Sequence, residues 1–394
     1  MNPERRRWLQ AALAIGGLSV THAWAVQGHS DPGGRLLFIF LRGGLDGLFA
    51  FSPVSDPRFA ELRPSLAETV MTQGVALADT GFVAHPACTP LVELFRNGEL
   101  SFAPCAGTVD VSRSHFQAQD LFELGSGRPH GPSGFMSRAA NELGGRRGAI
   151  SFTREIPLAF RGGQRLPEVS PLSGSGFRLP PGALLEAIRR SHGGERTGDA
   201  LEQAIATEAD ITAALAEGGM EVAAARGAPA VSGFSRVARD MARVLRANPR
   251  FSLAFIDLGG FDTHANQAPV LARALASLSE GLVVLRNELG ADEWRRTRVV
   301  VSSEFGRTVR ENGTRGTDHG HGGLLLMAGG GLHGGRLLGG FDSLDDVRLN
   351  EARDLPVLLD WRDALASAMQ DSLGLSPAAL DRTLPGRPRR RSES

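Results

Sequence analysis

The chain has 394 residues, of which 42% are hydrophobic and 22% are charged. Basic and acidic residues are balanced at 43 each, which argues against a role in binding nucleic acid or an anionic membrane surface. The length and apolar content predict a globular protein with a sizeable buried core.

The first 25 residues have the pattern of a twin-arginine export signal. A charged run at residues 5–7 precedes a short apolar run at 11–20, and Ala23-Trp24-Ala25 supplies small residues around a cleavage site. We predict passage through the twin-arginine (Tat) translocase, cleavage near Ala25, and a periplasmic or secreted mature protein. The apolar run is too short to span a bilayer, and no stable membrane span is expected elsewhere.

Apolar runs that suit strands alternate with runs that suit helices along the rest of the chain. The continuous apolar run from 35 to 41 predicts a strand that is buried on both faces of a sheet. Further strands are predicted at 100–104, 251–257, 298–302 and 323–327, and helices at 90–96, 117–124, 234–247 and 270–289. This alternation predicts an α/β layered fold whose mixed sheet is mainly parallel.

We predict a single domain over residues 26–386, because no linker or internal repeat divides the chain. An insertion is expected around 148–230, which opens with strand-like pieces at 149–152 and 157–160 in a stretch rich in Pro, Gly and Ser. The tail at 387–394 is rich in Arg, Pro and Ser and is predicted to be disordered.

Two cysteines, Cys88 and Cys105, are present in a chain that is predicted to reach an oxidising compartment. Cys88 opens a predicted helix and Cys105 ends the next predicted strand, so the two could lie close together. One disulfide and two buried thiols both remain open.

Acidic and histidine side chains gather next to the predicted strand ends, where open α/β sheets bind their ligands. Oxygen and imidazole donors suit a divalent cation such as zinc, manganese, magnesium or calcium, and the absence of a nearby cysteine excludes a thiolate site. We predict one or two ions, with zinc preferred, held by a subset of these candidates. The candidate ligands are Asp46, Asp262, His264, Glu304, Asp318, His319 and His321.

The candidate catalytic residues lie beside the same strand ends. Ser114 stands just before a predicted helix, where a hydroxyl close to a metal could act as a nucleophile. Arg113 and Arg307 are predicted to neutralise charge on a transferred group, while Arg42 could bind an anion or brace a carboxylate.

Most of these residues also have an ordinary structural interpretation. Asp46 suits a tight turn, Ser114 suits a helix cap, and Asp262 could cap the helix that follows it. Glu304 and Arg307 could simply pair as ions. The run Asp318-His319-Gly320-His321 favours function, because two histidines separated by one glycine serve no obvious packing need.

At these residues the chain resembles the domain-of-unknown-function 1501 family (DUF1501), which belongs with the alkaline phosphatase and sulfatase superfamily. The resemblance runs across nearly the whole chain beyond the predicted signal. The matching motifs are Leu41-Arg42-Gly43-Gly44-Leu45-Asp46-Gly47, His85-Pro86-Ala87, Ser114-His115-Phe116-Gln117-Ala118-Gln119-Asp120, Gly259-Gly260-Phe261-Asp262-Thr263-His264, Ser303-Glu304-Phe305-Gly306-Arg307 and Asp318-His319-Gly320-His321-Gly322.

The resemblance implies an alkaline-phosphatase/sulfatase-like three-layer α/β sandwich with a metal centre at the carboxyl edge of its sheet. In the superfamily pattern an early aspartate would match Asp46, and a nucleophile at a helix start would match Ser114. The later metal ligands would match Asp262, His264, Glu304, and either His319 or His321.

Three departures from the superfamily pattern bear on activity. Glu304-Phe305 stands where active phosphatases usually carry Asp-His, and Asp262 and His264 are two residues apart where four is usual. The Cys-x-Pro-x-Arg motif that sulfatases convert to formylglycine is absent. A complete two-metal site and sulfatase chemistry through formylglycine are therefore not expected.

The leading hypothesis is a periplasmic metal-dependent hydrolase that acts on a small anionic phosphate or sulfate ester. The alternative is a non-catalytic export or assembly partner that keeps the fold, and a structural metal, while it binds a co-exported protein. A third hypothesis is a carbohydrate-binding protein that uses the same cleft without turnover.

Overall fold

The computed structural model describes residues 33–109, 112–144, 147–153, 156–163, 168–169 and 233–388. The predicted export signal at 1–25 lies outside the described residues. So do most of the predicted insertion at 148–230 and the tail beyond residue 388.

The first strand, Arg35–Leu41, is buried along its whole length and contacts different side chains on its two faces. Leu37, Ile39 and Leu41 belong to one large hydrophobic cluster. On the opposite face Phe38 packs against the rings of Phe122 and Trp361, with centroids 5.8 and 6.2 Å away. Successive side chains of a strand point to opposite faces, so a strand that is apolar throughout requires a cover on both sides.

The strands form one large and one small sheet. In chain order they are β1 Arg35–Leu41, β2 Phe51–Ser52, β3 Val75–Leu77, β4 Phe82–Ala84, β5 Leu100–Gly107, β6 Gly148–Ser151, β7 Glu168–Val169, β8 Phe251–Leu258, β9 Thr297–Ser303, β10 Gly323–Ala328 and β11 Leu359–Asp360. The large sheet has the order β11-β5-β10-β9-β1-β8-β6-β7, and β2, β4 and β3 form the small one. Within the large sheet of the described residues β10 runs antiparallel to its neighbours β5 and β9, whereas the other pairings are parallel.

Helices cover both faces of the large sheet. They are α1 Gly47–Ala50, α2 Arg58–Leu62, α3 Glu68–Gln73, α4 Thr89–Arg96, α5 His115–Leu124, α6 Phe135–Glu142, α7 Phe234–Ala247, α8 Gln267–Arg295, α9 Trp361–Leu373 and α10 Pro377–Thr383. Buried residues of α4, α7 and α8 share a hydrophobic cluster with one face of β1. Aromatic residues of α5, α6 and α9 pack on the other face. The predicted three-layer α/β arrangement with a mainly parallel, mixed sheet is therefore confirmed.

Individual elements also follow the sequence prediction closely. β1 and α7 have the predicted bounds, and α4, α5, β5, β8, β9 and β10 differ from theirs by a few residues. The strand-like piece expected at 157–160 is wrong, because Leu158–Phe160 is a turn of 3-10 helix that follows Pro157.

Helix α8 is long and apolar enough, by length and composition alone, to cross a membrane. Its buried leucines recur at a spacing of three to four residues and belong to the cluster shared with β1 and α7. Such a one-sided stripe is typical of a helix that packs on the core of a globular domain.

The two cysteines are both free and buried. Cys88 belongs to the large hydrophobic cluster that includes one face of β1, and Cys105 belongs to a separate cluster with Leu48 and Val309. Burial raises the pKa of each thiol to about 12. Of the two alternatives left open by the sequence, the structure has the buried thiols.

Four parallel strands, β1, β5, β8 and β9, end at the same edge of the large sheet, and the antiparallel β10 begins there. The loops that leave or enter these strands are therefore neighbours. In open α/β sheets this carboxyl edge is where ligands bind.

Candidate metal centre

The Gly-rich turn after β1 allows the loops of β8 and β9 to approach closely. Gly43 and Gly44 have φ values of 119° and 73°, which disfavour any residue with a side chain. A Cβ atom on Gly43 would lie 2.5 Å from the backbone nitrogen of Asp262, and one on Gly44 would lie 2.5 Å from the ring of Phe305. Glycine at both positions thus brings three loops together at one point.

His115, the first residue of α5, is oriented by a buried carboxylate. Its Nδ1 lies 2.8 Å from Oε1 of Glu304, whose side chain is fully buried. With Nδ1 donating a hydrogen bond to this carboxylate, Nε2 is the ring nitrogen that can bind a metal. Nε2 is buried and lies 3.4 Å from Oδ2 of Asp262, and among the described residues it has no hydrogen-bond partner. An unpartnered imidazole nitrogen with a carboxylate on its other side is the arrangement of a metal ligand.

His319 is held in the same way by a backbone carbonyl. Its Nδ1 lies 2.9 Å from the carbonyl oxygen of Arg113, which can only accept a hydrogen bond, so Nδ1 is the donor. Burial lowers the pKa of His319, and this effect exceeds that of the hydrogen bond to Arg113, so the neutral ring is favoured. The Nε2 lone pair then faces Oδ1 of Asp262 at 3.4 Å and Nε2 of His264 at 3.0 Å.

Asp262 lies at the centre of the cluster and is half exposed. Its Oδ1 accepts a hydrogen bond of 2.6 Å from Arg307 and lies 3.0 Å from Nε2 of His264. Burial alone would raise the pKa of Asp262, but the hydrogen bond and charge of Arg307 hold it below its ordinary value. The carboxylate is therefore ionised and available to a cation.

The donor atoms of these four residues have the spacing of a coordination sphere. Within the described part of the chain, His115, Asp262 and His319 offer ligand atoms that all lie within 4.8 Å of one another, and His264 adjoins them. Two ligands bonded about 2.0–2.1 Å from a tetrahedral ion lie roughly 3.3 Å apart. Nε2 of His264 and Nε2 of His319 lie 3.0 and 3.4 Å from Oδ1 of Asp262, and Nε2 of His115 lies 3.4 Å from Oδ2. The three imidazoles thus surround one carboxylate at distances that suit the ligands of a divalent cation.

A family model described as "Protein of unknown function (DUF1501)" matches residues 107–391. This chain belongs to the DUF1501 family. The match contains the four clustered residues, whereas Asp46 lies outside it. A comparison with the curated proteins gives no match.

Two solved structures are similar to this DUF1501 chain at low identity. One is the C-terminal periplasmic domain of EcEptC from Escherichia coli in complex with Zn, at 10% identity and a TM-score of 0.35, covering 77% of this chain and 75% of that one. The other is Ps i-CgsB in complex with k-i-k-neocarrahexaose, at 11% identity and a TM-score of 0.40, covering 90% and 74%. Both TM-scores lie below 0.5, and neither likeness bears on the chemistry of the site.

Glu304, a predicted ligand, contacts Nδ1 of His115 and so orients that ligand candidate from the side opposite Nε2. It accepts hydrogen bonds from the Gly43 amide at 2.9 Å and from Gln119 at 2.9 Å, besides that of His115. Burial would raise the pKa of Glu304, but the hydrogen bonds from Gln119, His115 and Gly43 outweigh it and lower the pKa. Gln119 is itself oriented by Arg42, which donates to its amide oxygen at 2.9 Å.

Two other predicted ligands lie outside the cluster. Asp46 is 1% exposed and pairs with the fully buried Arg63 at 2.7 Å, while Gln267 donates to the same oxygen at 2.6 Å. Its second oxygen caps α1 through the Phe49 amide. The structure therefore corrects the prediction for Asp46 to the turn-forming alternative. His321 turns its Nε2 to the carbonyl oxygen of Thr108 at 2.7 Å.

Asp318 lies beside the cluster and contacts His264, not the centre. Its Oδ1 is 3.4 Å from Nδ1 of His264 and 3.3 Å from the amide nitrogen of Asn312. The capping role considered for Asp262 is absent, because α8 begins at Gln267 after Asn266, with no side-chain cap.

The two arginines predicted to face a transferred group are engaged elsewhere. Arg307 is fully buried and donates to the carbonyl oxygens of Gly44 and Thr317 and to Asp262, so it fixes the loops of the cluster. Arg113 turns its guanidinium away and binds Glu351 and the buried Asp354, each at 2.7 Å. Both are positioning residues in this structure.

Ser114 is the residue that precedes α5, as predicted, and its side chain makes no capping hydrogen bond. It is exposed and directly precedes the ligand candidate His115. Phe305, next to Glu304, is buried against the rings of His115 and His319, with centroids 5.0 and 4.7 Å away. An apolar ring thus packs against two of the clustered imidazoles.

Sequence reasoning missed His115 and Gln119. Both residues belong to the motif Ser114-His115-Phe116-Gln117-Ala118-Gln119, one and five positions after the candidate nucleophile Ser114. On a helix, positions four apart lie on the same face, so a His115/Gln119 pair facing one carboxylate was a readable pattern.

Proposed function

We propose that this DUF1501 chain is an exported hydrolase of phosphate or sulfate esters that works at a single metal centre. The ligands would be His115, Asp262 and His319, with His264 as a fourth. The observation that supports this most strongly is the buried, unpartnered Nε2 of His115, which faces Asp262 while Glu304 occupies Nδ1. A buried nitrogen without a partner costs free energy unless a ligand satisfies it.

Zinc is the proposed metal, because nitrogen donors from three histidines with one carboxylate oxygen suit zinc better than calcium or magnesium. A zinc ion bound there would supply Lewis acidity and lower the pKa of a hydroxyl beside it. The packing of Phe305 on two of the ligand rings supports one ion over two.

Ser114 is the proposed nucleophile. Its hydroxyl is exposed and makes no capping bond, and it is one residue from His115, so it can approach a group held at the cluster. The first turn of α5 presents backbone amides at the same place, and such amides favour an anion. Arg307 would keep Asp262 ionised and fixed during turnover.

The metal content of the purified full chain tests the metal centre. We expect about one equivalent of zinc by mass spectrometry in the wild type, and loss of zinc in His115→Ala and His319→Ala. His321→Ala and the exposed His130→Ala are matched controls that should keep it. Equal zinc loss in His321→Ala, or no zinc after incubation with zinc, manganese and calcium, would refute the site.

Turnover of p-nitrophenyl phosphate and p-nitrophenyl sulfate by the zinc-loaded protein tests the reaction. Ser114→Ala should retain zinc and lose activity by at least about a hundredfold, since nucleophile removal typically costs several orders of magnitude. Retained activity in Ser114→Ala would assign the attack to water instead.

A second candidate function is a non-catalytic, metal-containing binding protein. It is favoured by the engagement of Arg113 and Arg307 in internal pairs, which leaves neither guanidinium to neutralise a transferred group. A protein with full zinc content but no turnover of either ester, whose complex with a co-exported protein survives Ser114→Ala, would support this function.

Export to the periplasm is part of the proposal and rests on residues 5–25. Replacing Arg5, Arg6 and Arg7 by lysine should retain the protein in the cytoplasm, because the twin-arginine pathway requires the arginine pair. Cell fractionation would show this, and export of the lysine variant would contradict it.

A further inference from the structure

A cavity of about 250 Å³ lies next to the metal cluster and is lined in part by Asp318, which lies beside the cluster. Asp318 lines this cavity and also contacts Nδ1 of His264 at 3.4 Å. Asn312, another lining residue, donates to the His264 carbonyl oxygen at 2.9 Å. A group bound in the cavity would therefore be adjacent to a group held at the cluster.

The walls of the cavity combine apolar and charged side chains. Leu62, Val309, Leu349 and Ala352 provide apolar surface, and Arg310 and Arg353 provide positive charge. Its volume lies just below the roughly 300–1,000 Å³ of whole-ligand pockets, so it suits one portion of a ligand.

The acidic lining residues already have donors. Glu311 accepts hydrogen bonds from the backbone amides of Ser65 and Leu66. Asp346 pairs with Arg58 at 3.0 Å, and Asp318 receives the Asn312 amide. The oxygens of these carboxylates thus already accept hydrogen bonds within the protein, and the charge of Asp346 is paired with Arg58.

Arg310 differs from these acidic lining residues in its lack of a bonding partner among the described residues. It is exposed and lines the cavity, and in the part of the chain that the structure describes its side chain has no ion pair or hydrogen bond. Within the described part of the chain, the ion-pair partner of Arg353 is Asp354, which is buried and is already bound by Arg113. The guanidinium of Arg310 is therefore the cationic group of the cavity that is available to an incoming anion.

Backbone contacts fix the two segments that carry Arg310 and Arg353 against each other. The Val309 amide donates to the Arg353 carbonyl oxygen at 3.0 Å, and Thr308 and Asp354 form a bridge. In the same loop Glu351 and Ala352 have φ values of 55° and 52°, in the left-handed region that residues with side chains seldom adopt. Such strained residues often occur where a ligand is held.

We infer that this cavity is a subsite for a second anionic group of the substrate, joined to the reacting ester by a short apolar segment. The inference rests on the proposed function, since it assigns the substrate class of the same site. It excludes simple monoesters as the preferred substrates and favours esters that carry a carboxylate or a further acidic group.

Binding of two non-hydrolysable probes tests the subsite without requiring turnover. Benzylphosphonate and 4-carboxybenzylphosphonate differ only in the carboxylate, and calorimetry with the zinc-loaded full chain gives the two dissociation constants. We expect the carboxylate to improve affinity about fivefold, as for a partly exposed ion pair. The gain should shrink in high salt.

Three variants test whether Arg310 is the residue that binds the carboxylate of the probe. Arg310→Gln should abolish the advantage of the carboxylate, Arg310→Lys should keep part of it, and the exposed Arg96→Gln on α4 is the matched control that should keep all of it. Equal affinity for the two probes in the wild type, an unchanged advantage in Arg310→Gln, or no binding of either probe would overturn the subsite. Zinc content of the same samples reports separately on the metal centre.

Discussion

Asp46 and Asp262 look alike in the sequence, since each follows a buried parallel strand and a pair of glycines, yet the structure gives them opposite surroundings. Asp46 is 1% exposed and is bound by Arg63, whereas Asp262 is 47% exposed and faces imidazole rings. Gln267 links the two regions, because it donates to Asp46 and accepts from Thr263. A carboxylate after a strand thus becomes structural or ligand-binding according to the side chains that later segments bring to it.

Removing Asp46 should have the largest effect on stability. Asp46→Ala leaves the fully buried Arg63 without its carboxylate, and breaking one side of a buried pair costs about 3–5 kcal/mol. Urea unfolding of the zinc-free protein should show this loss for Asp46→Ala and a much smaller one for Asp262→Ala. Equal losses would abolish the distinction between the two aspartates.

Glu304→Gln should give the next largest effect. The change removes a buried charge that accepts hydrogen bonds from Gly43, Gln119 and His115, each worth about 1.5–3 kcal/mol to an ionised group. We expect a net loss of about 2 kcal/mol, since the amide retains part of the bonding. Thermal or urea unfolding at pH 7 measures it.

The same variant has a defined pH dependence. The pKa of Glu304 is lowered on folding, so its contribution is complete above the unfolded-state pKa and is lost as pH falls through the folded-state pKa. The stability difference between wild type and Glu304→Gln should therefore shrink on acidification. A difference that stayed constant down to the acid transition would contradict the ionised, hydrogen-bonded Glu304.

Gln119→Leu should act on the metal and hardly on the fold. Gln119 donates to the carboxylate that orients His115, and loss of such a partner typically lowers metal affinity about 10–100-fold. Zinc competition with a chelator measures this effect, and Gln117→Leu, at an exposed position two residues earlier, is the control. Unchanged affinity in Gln119→Leu would remove Glu304 from the support of the centre.

The cysteines should show the smallest response, because both are buried. With the pKa of each raised to about 12 by burial, very little thiolate exists at pH 8. Iodoacetamide should label neither in the native protein and both after unfolding in urea. Rapid native labelling of Cys105 would show that its cluster opens readily.

Much of the fold was predictable because hydrophobic patterning is local. The apolar run at 35–41 and the helical periodicity of 234–247 each depend on consecutive residues, and their bounds are confirmed. The 3-10 turn at Leu158–Phe160 was missed because three apolar residues after a proline are compatible with either conformation.

The site was only partly predictable because roles depend on contacts between distant segments. The sequence indicated Asp262, His264 and His319. No local pattern indicates that Asp46 pairs with Arg63, or that Arg307 donates to the carbonyl oxygens of Gly44 and Thr317. His115 was overlooked for the same reason, since its partner Glu304 is 189 positions away.

The reversed direction of β10 has a consequence for how this family can diversify. Residues 304–322 leave the sheet from β9 and return to it through the adjacent antiparallel strand, and the bridge between Arg307 and His319 closes their base. The segment is therefore a hairpin-like excursion whose two ends are anchored side by side. Insertions at its tip, near residues 312–315, would reshape the rim of the site while the strand pairing and the anchored base stay the same.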